Sequence, residues 1–469
     1  MYTYLNEGDK MNYRKIHMIG IGGSSMSGIA EIASSLGITI TGSDMEETYY
    51  VKKLLSKGYK INVGHSADNI DTSIDLIVYS AAISMDNPEM IKAKELGIPM
   101  MERAEFLGLI TKSYNHVICV AGTHGKSTTS GMISKIFVDA KKDPTISIGA
   151  TLYEIGGNNK VGSDDTIILE ACEYHDSYMH FNPTIALVLN VDADHLEYFG
   201  SFDNVKKSFS NFVNLVPSDG FIFINKDDEN TSHIADNVKG KVITFGINTD
   251  ANFKANNLSY DENGHPTYDV IYNGEKLETI TLRLTGKHNV YDSLASFAIC
   301  YTFGIDSKTI KNSLYEYSGV HRRFEFLGYT KNKAIVYDDY AHHPAEIATT
   351  LYSVNQVKHN KTWALHQPFT YTRTKDHLDE FAEVLSGFDN IILTDIYAGR
   401  EKDIYNIKTE DLVEKIKPLN KNVYHFTDTD KMLEFLNENL KENDIICSIG
   451  CGPIDKISQK LVEKKDCKC

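Results

Sequence analysis

The stretch 117–128, VICVAGTHGKST, decides how this chain reads. An apolar run at 117–121 meets Gly122-Thr123-His124-Gly125-Lys126-Ser127-Thr128, where a helix is predicted to begin. A buried strand that runs through a glycine turn into a helix is the setting in which backbone N–H groups cradle phosphate. Lys126 would then reach β/γ-phosphate oxygens, and the Ser127 hydroxyl would bind Mg²⁺. Val120 stands where the strict pattern carries glycine, so the loop is a variant. An ATP site is the firmest expectation from pattern alone.

Outward from that loop, short β-rich runs alternate with amphipathic stretches, the pattern of parallel sheets with crossover helices. A first block predicts strand 15–21, helix 24–36, strand 38–41, helix 49–57, strand 75–81 and a helix near 87–96, with 103–115 as a linker. A second block restarts at His116, carries strands at 166–170 and 185–190, and ends in helices at 289–303 and 307–317. Within it, 252–284 is polar and alternating, with turn signals at Glu262-Asn263-Gly264 and Asn273-Gly274, and predicts an antiparallel insert. A third block, from Gly319, predicts strands at 334–337, 362–365, 391–395 and 444–449. The expected domains are 1–114, 115–317 and 318–469.

A second glycine loop, Gly20-Ile21-Gly22-Gly23-Ser24-Ser25, also follows a strand and opens a helix. Ser25 occupies the third glycine position of a dinucleotide fingerprint. Asp44 ends the second strand, where an acidic residue would bind a ribose hydroxyl. A nucleotide-like ligand and a plain tight turn both fit this loop.

Glu170-Ala171-Cys172-Glu173 ends one strand of the second block, and Asn190-Val191-Asp192-Ala193-Asp194-His195 ends the next. The C-terminal ends of parallel strands open onto the crevice that the phosphate loop occupies. Hard oxygen donors beside a histidine suit Mg²⁺ near nucleotide phosphates, with Glu173 and His195 as the expected ligands. Asp192 and Asp194 read as groups behind those ligands or as helix caps.

Composition removes several classes. Lys and Arg number 48 against 64 Asp and Glu, a net charge of −16, which argues against a coat for nucleic acid or an anionic membrane. The first twenty residues lack a basic head before a long apolar stretch, so no secretory signal is expected. The apolar runs at 117–121 and 185–191 are far too short to span a bilayer. Seven cysteines spread over 469 residues read as free thiols of a reducing cytoplasm, not a disulfide framework. Neither Cys447 and Cys451 nor Cys467 and Cys469 read as a zinc site.

Eight strings, in order, carry more specific information: GIGGSSMSGIA from Gly20, GTHGKST from Gly122, EACEYHDSYMHFNP from Glu170 and LNVDADHLEYF from Leu189, then TGKHNVYDSLAS from Thr285, GVHRRFE from Gly319, DDYAHHPAEI from Asp338 and HQPFTYTRT from His366. Through them the chain resembles the Mur ligases, the ATP-dependent amide-forming enzymes of bacterial cell-wall synthesis. The resemblance implies an α/β fold in three domains. These are a Rossmann-like N-terminal domain for a UDP-sugar, a central P-loop ATPase domain with a mostly parallel sheet and an antiparallel insert, and a Rossmann-like C-terminal domain for the amino acid. Within the family the alanine-adding branch fits best, implying UDP-N-acetylmuramate, L-alanine, ATP and Mg²⁺. It also implies a cytoplasmic monomer or weak homodimer with no nucleic-acid or membrane partner.

Residue by residue, the resemblance places Gly122, Thr123, His124, Gly125, Lys126, Ser127 and Thr128 on ATP, and His288 and Asn289 on adenine. It puts Ser127 and Glu173 on one Mg²⁺ and His195 on a second. Gly22, Gly23, Ser24, Ser25 and Asp44 would take the UDP end, in place of a nicotinamide dinucleotide. Arg322 or Arg323 (Arg323 being the one counted on the nucleotide), Asp339, Tyr340, His342 and His343 would line the cleft between the second and third domains. Arg373 would stand near the phosphate or the incoming amino acid. Lys126, Glu173, His195, His343 and Arg373 are the implied catalytic set, with His343 as a base or a positioning group. An acyl phosphate must be kept from water, so closure of the third domain is expected.

Departures from the family pattern are specific. Ser25 replaces a usual glycine and Ser127 a commoner threonine. His366 and Phe369 are exchanged relative to the usual order, and Gly450-Cys451-Gly452-Pro453 lacks the usual acidic residue. Lys206 and Lys207 fall too early for the carbamylated lysine of ligases that add later residues. The nearest rival is the branch that attaches a preformed tripeptide to the same UDP-sugar. A nicotinamide-dependent dehydrogenase, using the loop 20–25, leaves the ATP loop 122–128 and the third block unexplained, and a regulatory ATP-binding module leaves the third block's His and Arg residues without a role.

Overall fold

The computed structural model describes residues 13–262, 264–399 and 401–462; the chain start, Cys467 and Cys469 lie outside them. The described residues divide into two compact units. One draws on residues 13–258, 268–281 and 288–317, the other on 259–262, 264–267, 282–287, 318–399 and 401–462.

The first unit opens with β1 (Lys15–Ile19), β2 (Thr39–Asp44), β3 (Lys60–Val63), β4 (Leu76–Tyr79) and β5 (Met100–Glu102), ordered β3-β2-β1-β4-β5. All pairs are parallel. β3 and β5 escape sequence reading because β3 buries no residue and β5 is three residues long. The expected linker at 103–115 is corrected: Arg103–Thr111 is a helix that buries Ala104, Phe106, Leu107 and Ile110. Phe106, Leu107 and Ile110 share a core with Val117 and Cys119, so the segment joins the two sheets by packing.

The second sheet comprises β6 (His116–Ala121), β7 (Thr145–Leu152), β8 (Gly157–Lys160), β9 (Thr166–Glu170), β10 (Ile185–Val188), β11 (Phe221–Asn225), β12 (Lys241–Gly246), β13 (Phe253–Tyr260), β14 (Pro266–Tyr272) and β15 (Glu275–Thr281). Their order is β15-β14-β13-β12-β11-β10-β6-β9-β7-β8. β6 runs parallel between β9 and β10, which explains its unbroken apolar character. β7 and β8 pair antiparallel. Asn273 and Gly274, at φ 48 and 90, form the two-residue link from β14 to β15, a connection that only antiparallel strands accept.

The second unit holds β16 (Glu325–Tyr329), β17 (Ile335–Asp339), β18 (Thr362–His366), β19 (Asn390–Leu393), β20 (Val423–His425) and β21 (Ile445–Ile449). Their order is β16-β17-β21-β18-β19-β20, with only β16 antiparallel to its neighbour. β16 is an edge strand with Phe326 and Tyr329 exposed, so no apolar run announces it. Among the described residues no helix is long and apolar enough to cross a membrane.

Candidate active site

The phosphate loop leaves β6 at Ala121 and enters the helix Lys126–Asp139 through Gly125, a left-handed N-cap at φ 83. A Cβ at Gly125 would lie 2.6 Å from Asp292 Oδ1, and one at Gly122 (φ 142) would lie 3.0 Å from Leu189 Cβ. Both positions therefore need glycine. The loop is tied to the segment after β10. Thr123 N donates to Asn190 O (3.1 Å), His124 N to Asn190 Oδ1 (2.8 Å), and Asp192 N to the Thr123 hydroxyl (2.9 Å). His124 Nε2 lies 3.2 Å from Asp192 Oδ2, and that bond lowers the Asp192 pKa. Ser127 is buried in the first helical turn, and Thr128 O accepts from the Tyr317 hydroxyl at 3.0 Å.

Lys126 Nζ donates to Gly122 O (2.6 Å), Thr123 O (2.9 Å) and Glu173 Oε1 (3.0 Å). Burial works against the ammonium, but Glu173, Cys172 and Glu170 outweigh it and raise its pKa, so the charge stays. Glu170 is committed elsewhere, accepting from Gly149 N at 2.7 Å.

Glu173, Asp194 and His195 each offer a ligand atom, all within 4.8 Å of one another; among the described residues this is the one such group able to hold a metal ion. Two carboxylates and an imidazole fit a hard divalent cation. Asp194 thus lies with Glu173 and His195 as a third candidate ligand. His195, at φ 53, caps the short helix Leu196–Phe199. The Tyr174 ring lies 4.5 Å from His195, and His175 stacks on Tyr198 at 4.6 Å. His175 and Asp176 also have positive φ (53 and 52), and strained backbone of this kind gathers at functional sites.

His288 and Asn289 open the helix Lys287–Thr302, with Asn289 Nδ2 and His288 Nε2 3.1 Å apart. One turn on, Asp292 is 4% exposed. Burial, opposed by the Thr129 hydroxyl, pushes its carboxyl up to about 8, so it keeps its proton at neutral pH. An acid within the mostly apolar helical run 290–300, buried on nearly every side, is the signal for this residue.

In the first block the Asp44 carboxylate clamps the other glycine loop: Gly22 N donates to Asp44 Oδ2 at 2.8 Å. Gly23 and Ser24 are exposed, and the Ser25 hydroxyl accepts from Arg103 Nη1 at 3.1 Å. Arg103 adds a cation to a loop suited to anions. Reading 103–115 as a linker hid it.

The second unit carries the remaining expected residues. Arg322 is fully engaged, donating to Asp338 Oδ2 (2.8 Å), to Gly452 O (3.1 Å) and to Gly450 O. Arg323 is exposed, 5.9 Å from the Tyr340 ring, so of the two arginines it is the more accessible. Burial, opposed by Arg323, pushes Asp339 up to about 6. His343 caps the helix Pro344–Gln356, its Nδ1 accepting from Ala345 N at 3.4 Å, while Glu346 accepts from His342 N and His343 N. The His342 ring lies 5.6 Å from Tyr340 and 5.8 Å from Phe369. Arg373 lies over Phe369 at 5.5 Å, with its Nη1 buried and lacking a hydrogen-bond partner. His366 is 0% exposed with Nδ1 on Ile449 O at 2.9 Å, and burial brings its pKa down to about 4. The exchange in the HQPF string thus puts a histidine in the core and a phenyl ring beside Arg373.

Three family models match the chain in order. They are described as Mur ligase family, catalytic domain (residues 15–115), Mur ligase middle domain (120–300) and Mur ligase, glutamate ligase domain (322–452). A curated relative, UDP-N-acetylmuramate–L-alanine ligase of Caldanaerobacter subterraneus subsp. tengcongensis, is 45% identical over 97% of this chain and 99% of its own length. A protein of the same name from Acetivibrio thermocellus is 43% identical over 97% of each. Among solved structures, the UDP-N-acetylmuramate-alanine ligase of Thermotoga maritima is similar at a TM-score of 0.78 and 27% identity, covering 96% of this chain and 98% of that one. A glycine loop held by its neighbours, a lysine locked to a buried glutamate and the ordered matches along the chain have one common explanation: the chain belongs to the Mur ligase family.

Proposed function

We propose that this chain joins L-alanine to the lactyl carboxyl of UDP-N-acetylmuramate with hydrolysis of ATP to ADP and phosphate, in peptidoglycan precursor synthesis. The observation that carries the reading is the Lys126–Glu173 pair at the mouth of the phosphate loop, with Asp194 and His195 grouped beside Glu173. The domains follow as 1–114 for the UDP-sugar, 115–317 for ATP and 318–469 for the amino acid, in a cytoplasmic monomer or weak homodimer.

Glu173, Asp194 and His195, with the Ser127 hydroxyl, would hold Mg²⁺, which when bound neutralises charge on the phosphate oxygens. The chain's own groups do the rest. Backbone N–H groups at the start of Lys126–Asp139 receive phosphate oxygens. Lys126 exchanges loop carbonyls for β/γ oxygens, and its raised pKa keeps the charge for phosphoryl transfer to the lactyl carboxylate. Asn190 and Asp192 hold the loop rigid, so no reorganisation is needed as charge develops. His288 and Asn289 serve the adenine end, while the loop 20–25, Asp44 and Arg103 serve the UDP end. In the third block Arg323, Tyr340, His342 and Arg373 receive the amino acid and phosphoryl charge. His343 is oriented by its capping bond, which suits positioning of the alanine ammonium better than a mobile base.

Purified protein should release phosphate from ATP/Mg²⁺ only when UDP-N-acetylmuramate and L-alanine are both present. Release with a preformed tripeptide and not alanine would move the reading to the tripeptide-attaching branch. Release without the UDP-sugar would end it.

A further inference from the structure

A polar cluster lies inside the first block, apart from the groups used so far. Glu89 sits in the first turn of the helix Pro88–Glu95 and is 0% exposed. Its helix neighbours Met90 and Ala93 pack with Ile19 and Ile77 in an apolar core. Its Oε2 accepts from the Ser43 hydroxyl at 2.5 Å and lies 3.3 Å from His65 Nδ1 and 3.7 Å from His17 Nε2. Its Oε1 accepts from Asn69 Nδ2 (2.5 Å) and Ser66 N (3.4 Å).

A buried carboxylate is expensive unless its oxygens are satisfied. Burial is here outweighed by the adjacent His17 imidazole and by the hydrogen bonds from Asn69 and Ser43, which hold Glu89 at about 2. The partners matter more than the charge. Ser43 O accepts from Gly20 N (2.9 Å) and Ile21 N (3.1 Å), the start of the glycine loop. Asp44, the next residue, accepts from Gly22 N with its side chain, and its backbone O accepts from Gly64 N at 2.7 Å, one residue before His65. One carboxylate thus fixes the end of β2, the loop after β3 and a helix start, all at the C-terminal edge where ligands of parallel sheets bind.

We propose that Glu89 is a positioning residue for the nucleoside diphosphate end of the substrate, setting through Ser43 and His65 the spacing between the loop 20–25 and the loop after β3. This rests on the reading of the first block as the UDP-binding end. Glu89→Gln keeps the volume but turns one acceptor into a donor facing other donors.

The test is calorimetric binding of UDP to the full chain, with KM for each substrate alongside. Glu89→Gln should weaken UDP binding and raise KM for the UDP-sugar roughly ten-fold, the size of one lost charge-assisted hydrogen bond. KM for ATP and L-alanine and kcat should stay within about two-fold. Met90→Ala, a cavity in the same helix, should lower Tm without changing UDP binding. Unchanged UDP binding in Glu89→Gln overturns the proposal, and so does equal weakening by Met90→Ala. If Glu89→Gln does not fold, Ser43→Ala decides: weakened UDP binding supports the proposal and unchanged binding overturns it. A wild-type chain that binds no UDP would instead remove the reading of the first block, and this proposal with it.

Discussion

Lys126 Nζ lies 3.0 Å from a carboxylate oxygen of Glu173, a residue whose side chain is 2% exposed. Each charge is the other's reason to be buried. Breaking such a pair from one side leaves an uncompensated charge, at about 3–5 kcal/mol when fully buried. Lys126→Ala should therefore both lower Tm and reduce ATP-dependent phosphate release by about 10³-fold or more. The double variant Lys126→Ala/Glu173→Ala should recover most of the lost Tm and none of the activity. Additive Tm losses would show that the pair is not coupled.

The grouping of Glu173, Asp194 and His195 makes a separate prediction about metal. Manganese binding to the ATP-loaded protein, followed by electron paramagnetic resonance, should weaken at least roughly ten-fold in His195→Ala and in Asp194→Asn. Chelation should stop turnover, and added Mg²⁺ should restore it. Wild-type manganese binding in Asp194→Asn would return that residue to a capping role.

What was legible in the sequence follows from what local patterns encode. The apolar run 117–121 and its glycines dictate strand, turn and helix without outside help, and strand-end logic brings Glu173 and His195 to the same edge. β3 was hidden because it buries nothing, and Arg103 because its helix has a polar beginning and its apolar face is read only at Phe106, Leu107 and Ile110. The engagement of Arg322 depends on carbonyls at Gly450 and Gly452, 128 and 130 residues away, which no local pattern reports. The bond from Gly22 N to Asp44, 22 residues on, is likewise one that no local pattern reports.

That long-range engagement separates two adjacent arginines. Arg322 pairs with Asp338, whose side chain is 0% exposed, while Arg323 is exposed. Arg322→Ala should destabilise the second unit by about 3–5 kcal/mol, seen as a lower midpoint in urea. Arg323→Ala should leave that midpoint unchanged and raise KM for a substrate. The reverse pattern would exchange their roles.

Asp292 supplies a pH prediction. Folded, it holds its proton up to about 8 because it is buried beside Gly125 and Thr129; unfolded, it releases it near the ordinary value of ~4. Below pH ~4 both states are protonated, and burial carries no proton-linked penalty. Between about 4 and about 8 the folded state keeps a proton that the unfolded state has lost, so stability falls as pH rises through that window. Above it both states are ionised and the loss levels off. Asparagine matches the shape of the neutral acid and does not titrate. Asp292→Asn should therefore match the wild-type Tm near pH 4 and exceed it by a margin that widens up to pH ~8. Thermal denaturation across that range measures the margin directly, and one that is constant with pH would mean that Asp292 is already ionised beneath the loop.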